Sequence, residues 1–229
     1  MREPRRGDDE VLSTIDLVVR LNGSTKIVDG FVRQAEAQVA TGTGTGADAW
    51  FHAGLAAWAV MDVTSHSLRK HGLLMAALDH LSAALRADAE HWPARFMRAS
   101  YVTMLHSDEA DEMVAFLLPA AYGITAARED TGYLVDAQTR AGVRAPWAFG
   151  AWCLAAVQAL MADDAPAAWR ALHDGLAATD DGSVPGLRSQ VMVPVVMAMR
   201  RPELADQPAL HARLARRCRS LARAAEATT

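Results

Sequence analysis

Histidine is the residue type in this sequence best placed to do chemistry. Four of the eight, His52, His66, His71 and His80, fall within 29 residues of one another. Asp62 stands four positions before His66, so one unbroken helix would carry a carboxylate and an imidazole on the same face, a spacing that serves proton transfer or a metal ion. The remaining offsets in the cluster are five and nine, and no His-Glu-x-x-His helix is present. A metal or acid–base centre needs a third group converging from elsewhere, so the simpler expectation is ordinary surface or capping histidines, with no metal and no cofactor.

Other groups reduce to structure in the same way. Asp108, Glu109, Asp111 and Glu112 crowd into the first turn expected of a helix, where acidic side chains complement the backbone dipole. Thr41-Gly42-Thr43-Gly44-Thr45-Gly46 has neither a preceding strand nor a following lysine, so it is a flexible connector and not a phosphate-cradling loop. Cys153 and Cys218 are 65 residues apart, and neither has a second cysteine nearby to suggest a metal knuckle or a redox pair. Two reduced thiols are expected. Ten methionines and six tryptophans could line a cavity for an apolar molecule, but an alanine-rich core needs the same bulky fillers.

Arg213, Arg216, Arg217, Arg219 and Arg223 share an expected helix with Leu210, Leu214 and Leu221. Such a basic amphipathic segment suits an acidic partner, a membrane surface or a nucleic acid, and it suits equally a terminal helix that caps a helical stack. No aromatic residue is interleaved for base stacking. Acidic residues elsewhere offset the arginines, leaving a net charge of -4, so the capping role is favoured and neither nucleic acid nor membrane is expected as a partner.

The elements that would position these residues are helices. Alanine supplies 47 of 229 residues and is the best helix former, while no window shows the period-two alternation of a half-buried strand. No apolar run is long enough to span a bilayer and no signal-peptide pattern follows the basic N-terminus, so a cytoplasmic location is expected. Helices are predicted from about Asp9 to Leu21, from Ser24 to Ala40, from Asp48 to Asp62, and then to Ala87 with Leu74, Leu78, Leu81 and Leu85 in one stripe. Further helices start at Pro93, Asp108, Pro146 and Pro166, where a first-turn proline or an acidic turn is tolerated. Arg128 to Val143 allows only a short helix around Tyr133, Leu134 and Ala137. A loop at 179–186 precedes two final helices at about 187–200 and 207–226. The predicted division is an N-terminal helical pair over 1–40, which packs on the main body or swaps onto a second chain as a homodimer, a connector at 41–46, and a helical domain over 47–229.

One stretch has a family likeness. Trp50 and Gly54, four apart in Ala47-Asp48-Ala49-Trp50-Phe51-His52-Ala53-Gly54, resemble the first helix of a tetratricopeptide repeat. Ala77, Leu81 and Ala84 resemble its second helix, small, large and small. A next unit would begin near Ala94, and a weaker echo runs from Trp147 to Ala151 and then through Ala168, Leu172 and Gly175. Trp50 to Arg95 spans 45 residues where the family repeats at 34, so the first unit carries an extension of eleven. The resemblance implies an all-α, right-handed stack of about nine or ten antiparallel helices.

It also implies a groove lined by the first helix of each unit, here Asp48, Phe51, Leu55 and Trp58, then Phe96, Ser100 and Thr103. Such a groove would hold another protein or a peptide, and the expected function is a non-catalytic adaptor or regulatory protein. Aromatic residues at helical spacing are usually packing, so the simpler reading of Phe51, Leu55 and Trp58 is core against the first two helices. The competing expectation is a small helical enzyme or binding protein for an apolar metabolite, using Asp62, His66 or His71 in a pocket between helices.

Overall fold

Helix-forming residues dominate the chain, and its folded state follows from that. The computed structural model describes residues 25–62, 64, 67–107, 119–141, 148–178 and 189–226. Among them are nine α-helices, two 3-10 helices and no strand. The α-helices are α1 (Lys26–Thr41), α2 (Ala47–Asp62), α3 (Ser67–Ala87), α4 (Trp92–Leu105), α5 (Ile124–Ala141), α6 (Ala148–Leu160), α7 (Ala165–Ala178), α8 (Ser189–Arg200) and α9 (Pro208–Glu226). The expected helices at 9–21 and after Asp108, the loop at 179–186, and Ser65, His66, Pro146 and Trp147 lie outside the described residues. No helix among the described residues is long and apolar enough to cross a membrane.

The chain divides into two compact units, Met1–Arg98 and Ala99–Thr229. The boundary expected at 41–46 falls inside the first of them, and that segment is a built turn. Gly42 takes a left-handed φ of 64°, and the N–H groups of Gly42 and Thr43 donate back to Val39 O and Gln38 O at 3.2 and 3.1 Å. These bonds satisfy carbonyls that the end of α1 would leave open. Gly46 has φ 74°, and a Cβ there would stand 2.9 Å from Ala35 O. Glycine is thus required twice, by a positive φ and by backbone passing against backbone.

In the first unit α2 packs between α1 and α3. Eleven of its sixteen residues are buried, so it is apolar on all sides and behaves as a core helix. Against α3 the contact is close: a Cβ on Gly54 would meet Leu81 Cγ at 2.9 Å and Ala77 O at 3.1 Å. Ala77, Leu81 and Ala84 are fully buried along that seam. Small residues let the axes approach, and the leucine fills the space they leave.

The second unit is centred on α6, which packs against α5, α7 and α8, while α9 packs on α7 and α8. The seam of α6 and α7 repeats the logic of the first unit. Ala168 and Leu172 are buried, and a Cβ on Gly175 would stand 2.5 Å from Trp152 Cβ. The turn between these helices is fixed by two aspartates. Asp163 adopts φ 57°, Asp164 N–H donates to Ala159 O at 2.9 Å, and Asp164 Oδ1 accepts from Ala167 N–H at 2.9 Å. Asp164 is therefore the cap of α7, with Pro166 inside its first turn.

One local expectation changes. The segment read as a short helix near Tyr133 is an 18-residue helix, α5. Its buried face is Ala127, Asp130, Thr131, Leu134 and Gln138, at helical spacing but with three polar members, so hydrophobic periodicity hid it. Pro194 lies inside α8, where it gives up one backbone hydrogen bond to its own helix.

Candidate functional site

Six of the seven residues expected to line a groove are placed in the interior, and the seventh, Asp48, is exposed. Phe51, Leu55, Trp58, Phe96, Ser100 and Thr103 have only 0–8% of their surface exposed, so in this structure they present no aromatic face to a partner. The reason is compositional. In a chain rich in alanine, the few large side chains are consumed in filling the interior. Ser100 and Thr103 lie in the second unit, where Thr103 belongs to a buried polar layer. Gln158 Nε2 donates to Thr103 Oγ1 at 2.8 Å and to Thr131 Oγ1 at 3.0 Å. Alongside, Trp152 Nε1 donates to Gln138 Oε1 at 3.1 Å, and Gln138 Nε2 donates to Ala148 O at 3.3 Å.

In the first unit His52, His80 and His91 lie against aromatic rings. His52 stacks on Phe31 of α1 with ring centroids 5.5 Å apart, and also meets Phe51 at 5.3 Å. His80 of α3 stacks on Trp50 of α2 at 5.4 Å. Burial pushes the His80 pKa below its ordinary value, against a smaller upward pull from Asp79. The rings therefore act first as flat packing surfaces.

His91 was not singled out from the sequence, and it has the most defined role of the group. Its Nδ1 accepts from Ala94 N–H at 3.2 Å, which caps the start of α4. With that nitrogen accepting, the proton resides on Nε2, which donates to Asp48 Oδ1 at 3.0 Å. The ring also lies 5.2 Å from that of Phe51. The signal available in the sequence was its place just before Trp92-Pro93 at a helix start.

The acid–base set expected at Asp62, His66 and His71 is only partly visible. Asp62 ends α2 near the surface. Partial burial of its carboxyl raises its pKa, while the Lys70 charge and a hydrogen bond from Trp58 act in the opposite direction. His71 Nδ1 is enclosed without a hydrogen-bond partner, and His66 lies outside the described residues. Among the described residues, no three His, Cys, Asp or Glu side chains are grouped so as to hold a metal ion. In the second unit Cys218 Sγ donates to Met199 Sδ at 3.4 Å, and Cys153 is fully buried. Burial raises both thiol pKa values, and the two cysteines are free of disulfide.

No family model matches the chain, and no curated protein or solved structure matches it.

Proposed function

We propose that this is a tetratricopeptide-like helical protein whose work is to hold another protein. One observation supports the reading: within α2/α3 and within α6/α7 the two helices meet along seams of the same pattern. Ala77, Leu81 and Ala84 in one pair and Ala168, Leu172 and Gly175 in the other follow the same small-large-small spacing, and in each a glycine marks the closest approach. Paired helices pressed together in this way are the unit from which helical-repeat binding surfaces are built. The histidines fit the same reading, since His52, His80 and His91 are engaged in stacking and capping.

The test is to purify the tagged full-length chain from its own cells and to read proteins and small molecules from the same sample. The expected result is one enriched protein that, once purified, binds the chain saturably at about micromolar affinity or better. The absence of any saturable protein partner, with a metal or an apolar small molecule recovered in equal amount to the chain, would favour the metabolite reading instead. That second reading has the enclosed, unpartnered His71 Nδ1 in its support.

A further inference from the structure

The interior position of the expected groove residues raises the question of what covers α2. On one side it is α3, pressed close at Gly54. On another it is α1, and this attachment is of a different kind. In α1 only Ile27, Val28 and Ala35 are buried, with Phe31 half-buried on His52, and most of the helix faces solvent. At the N-terminal end Thr25 makes no side-chain cap. Helices held by few buried apolar contacts open locally at lower cost than the core they cover.

We infer that α1 is an exchangeable occupant of the α2 surface, and that the partner is an amphipathic helix of another protein with the apolar register of α1. This deepens the partner-holding function proposed above and rests on it. The seat itself states the chemistry of the occupant. Ile27, Phe31 and Ala35 follow one another at four-residue steps, so they form one stripe along the helix. The central aromatic lies flat on the imidazole of His52. The small residue comes last, at Ala35, which is fully buried where the Gly46 backbone passes. A partner helix thus needs an aliphatic residue, an aromatic four positions on, and alanine or glycine four beyond that.

The turn makes the exchange selective. Gly42 and Gly46 supply left-handed backbone without strain and keep α1 tethered by a short link. Short tethers hold their cargo at an effective concentration of about millimolar, so an incoming helix must fit better than α1 to displace it. α1 in this role excludes weak apolar contacts and admits a matched helix.

The experiment uses the full-length chain and a fluorescein-labelled synthetic peptide covering residues 25–43. Phe31→Ala and Val28→Ala variants of the protein weaken the resident helix and leave α2 untouched. The labelled peptide is expected to bind either variant saturably and about tenfold more tightly than wild type, because the resident helix no longer competes as well. A peptide carrying Phe31→Ala is expected to lose that binding. Hydrogen exchange on the wild type gives a second reading, with α1 amides expected to exchange about 100-fold faster than those of α3. Equal peptide affinity for wild type and helical variants, or no binding to any of them, overturns the inference. So does protection of α1 equal to that of α3, a measurement that stands even if a variant fails to fold. Neither peptide result bears on whether a cellular partner exists, so the two claims fail separately.

Discussion

His91 Nε2 donates to Asp48 Oδ1 across 3.0 Å, and this contact joins the first turn of α2 to the residue that caps α4. The imidazole side chain is 8% exposed and the carboxylate side chain 85%. A hydrogen bond so open to water on one side adds little, whereas the cap made by the other ring nitrogen satisfies a backbone donor in the interior. The cap is the larger of the two contributions.

Replacing His91 by alanine is therefore expected to destabilise the protein by about 1–3 kcal/mol, from the lost cap and the unsatisfied Ala94 N–H. His91→Asn keeps an acceptor at the cap and is expected to recover part of that loss, whereas Asp48→Asn should cost under about 1 kcal/mol. Urea titrations of the three variants measure the order. A larger loss for Asp48→Asn than for His91→Ala would reverse the assignment.

The polar layer of the second unit gives a coupling measurement. Gln158→Leu leaves the hydroxyls of Thr103 and Thr131 without their amide donor and is expected to cost about 1–3 kcal/mol. Adding Thr131→Val removes one of the stranded groups, so the double variant should lose less than the sum of the two single ones. A double-mutant cycle on thermal or urea unfolding reads the difference.

These two sites show what could and could not be read from the sequence. Helices whose buried face is apolar, such as α2 with Phe51 and Leu55 or α3 with Leu74, Leu78 and Leu81, stand out by their spacing. α5 does not, because Asp130, Thr131 and Gln138 occupy its buried face, and Gln158 and Trp152, which bond Thr131 and Gln138, are 27 and 14 residues away in the chain. The inward or outward sense of Phe51, Leu55 and Trp58 was not legible either. Helical spacing states that residues share a face, and only the tertiary fold states what that face meets. His91 escaped notice because capping by an imidazole has no strong sequence signature, unlike the Ser, Thr, Asp and Asn caps.

His80 supplies a pH dependence. Its folded pKa is lowered by burial, so the unfolded chain binds the proton more readily in the range just below 6.5. The stabilisation is fully present above pH 6.5 and is lost as pH falls through the folded pKa. An NMR titration of the His80 ring should show a midpoint below 6.5, and His80→Gln should flatten the fall in melting temperature between pH 7 and about pH 5. A midpoint above 6.5 would mean that Asp79 outweighs burial.

The thiols should react unequally and slowly. Cys153 is fully enclosed, and burial raises its pKa, so little thiolate exists at neutral pH and no reagent reaches it. Cys218 is half-buried against Met199, with its pKa raised in the same direction. A disulfide reagent at pH 8 is expected to modify Cys218 first and Cys153 only at the rate of unfolding. Fast modification of Cys153 in the native protein would contradict its placement.

The pressed seams can be tested most directly by the sign of four glycine substitutions. Gly72 and Gly132 face open space, so alanine there should stabilise by about 0.5–1 kcal/mol through helix propensity and a less flexible unfolded chain. At Gly54 and Gly175 the added carbon would meet Leu81 and Trp152 inside 3 Å, and overpacking should cost about 1–3 kcal/mol despite the same propensity gain. Urea unfolding of the four alanine variants is expected to show gains at Gly72 and Gly132 and losses at Gly54 and Gly175. Gains of similar size at all four positions would contradict the paired, close-packed seams on which the partner-holding function rests.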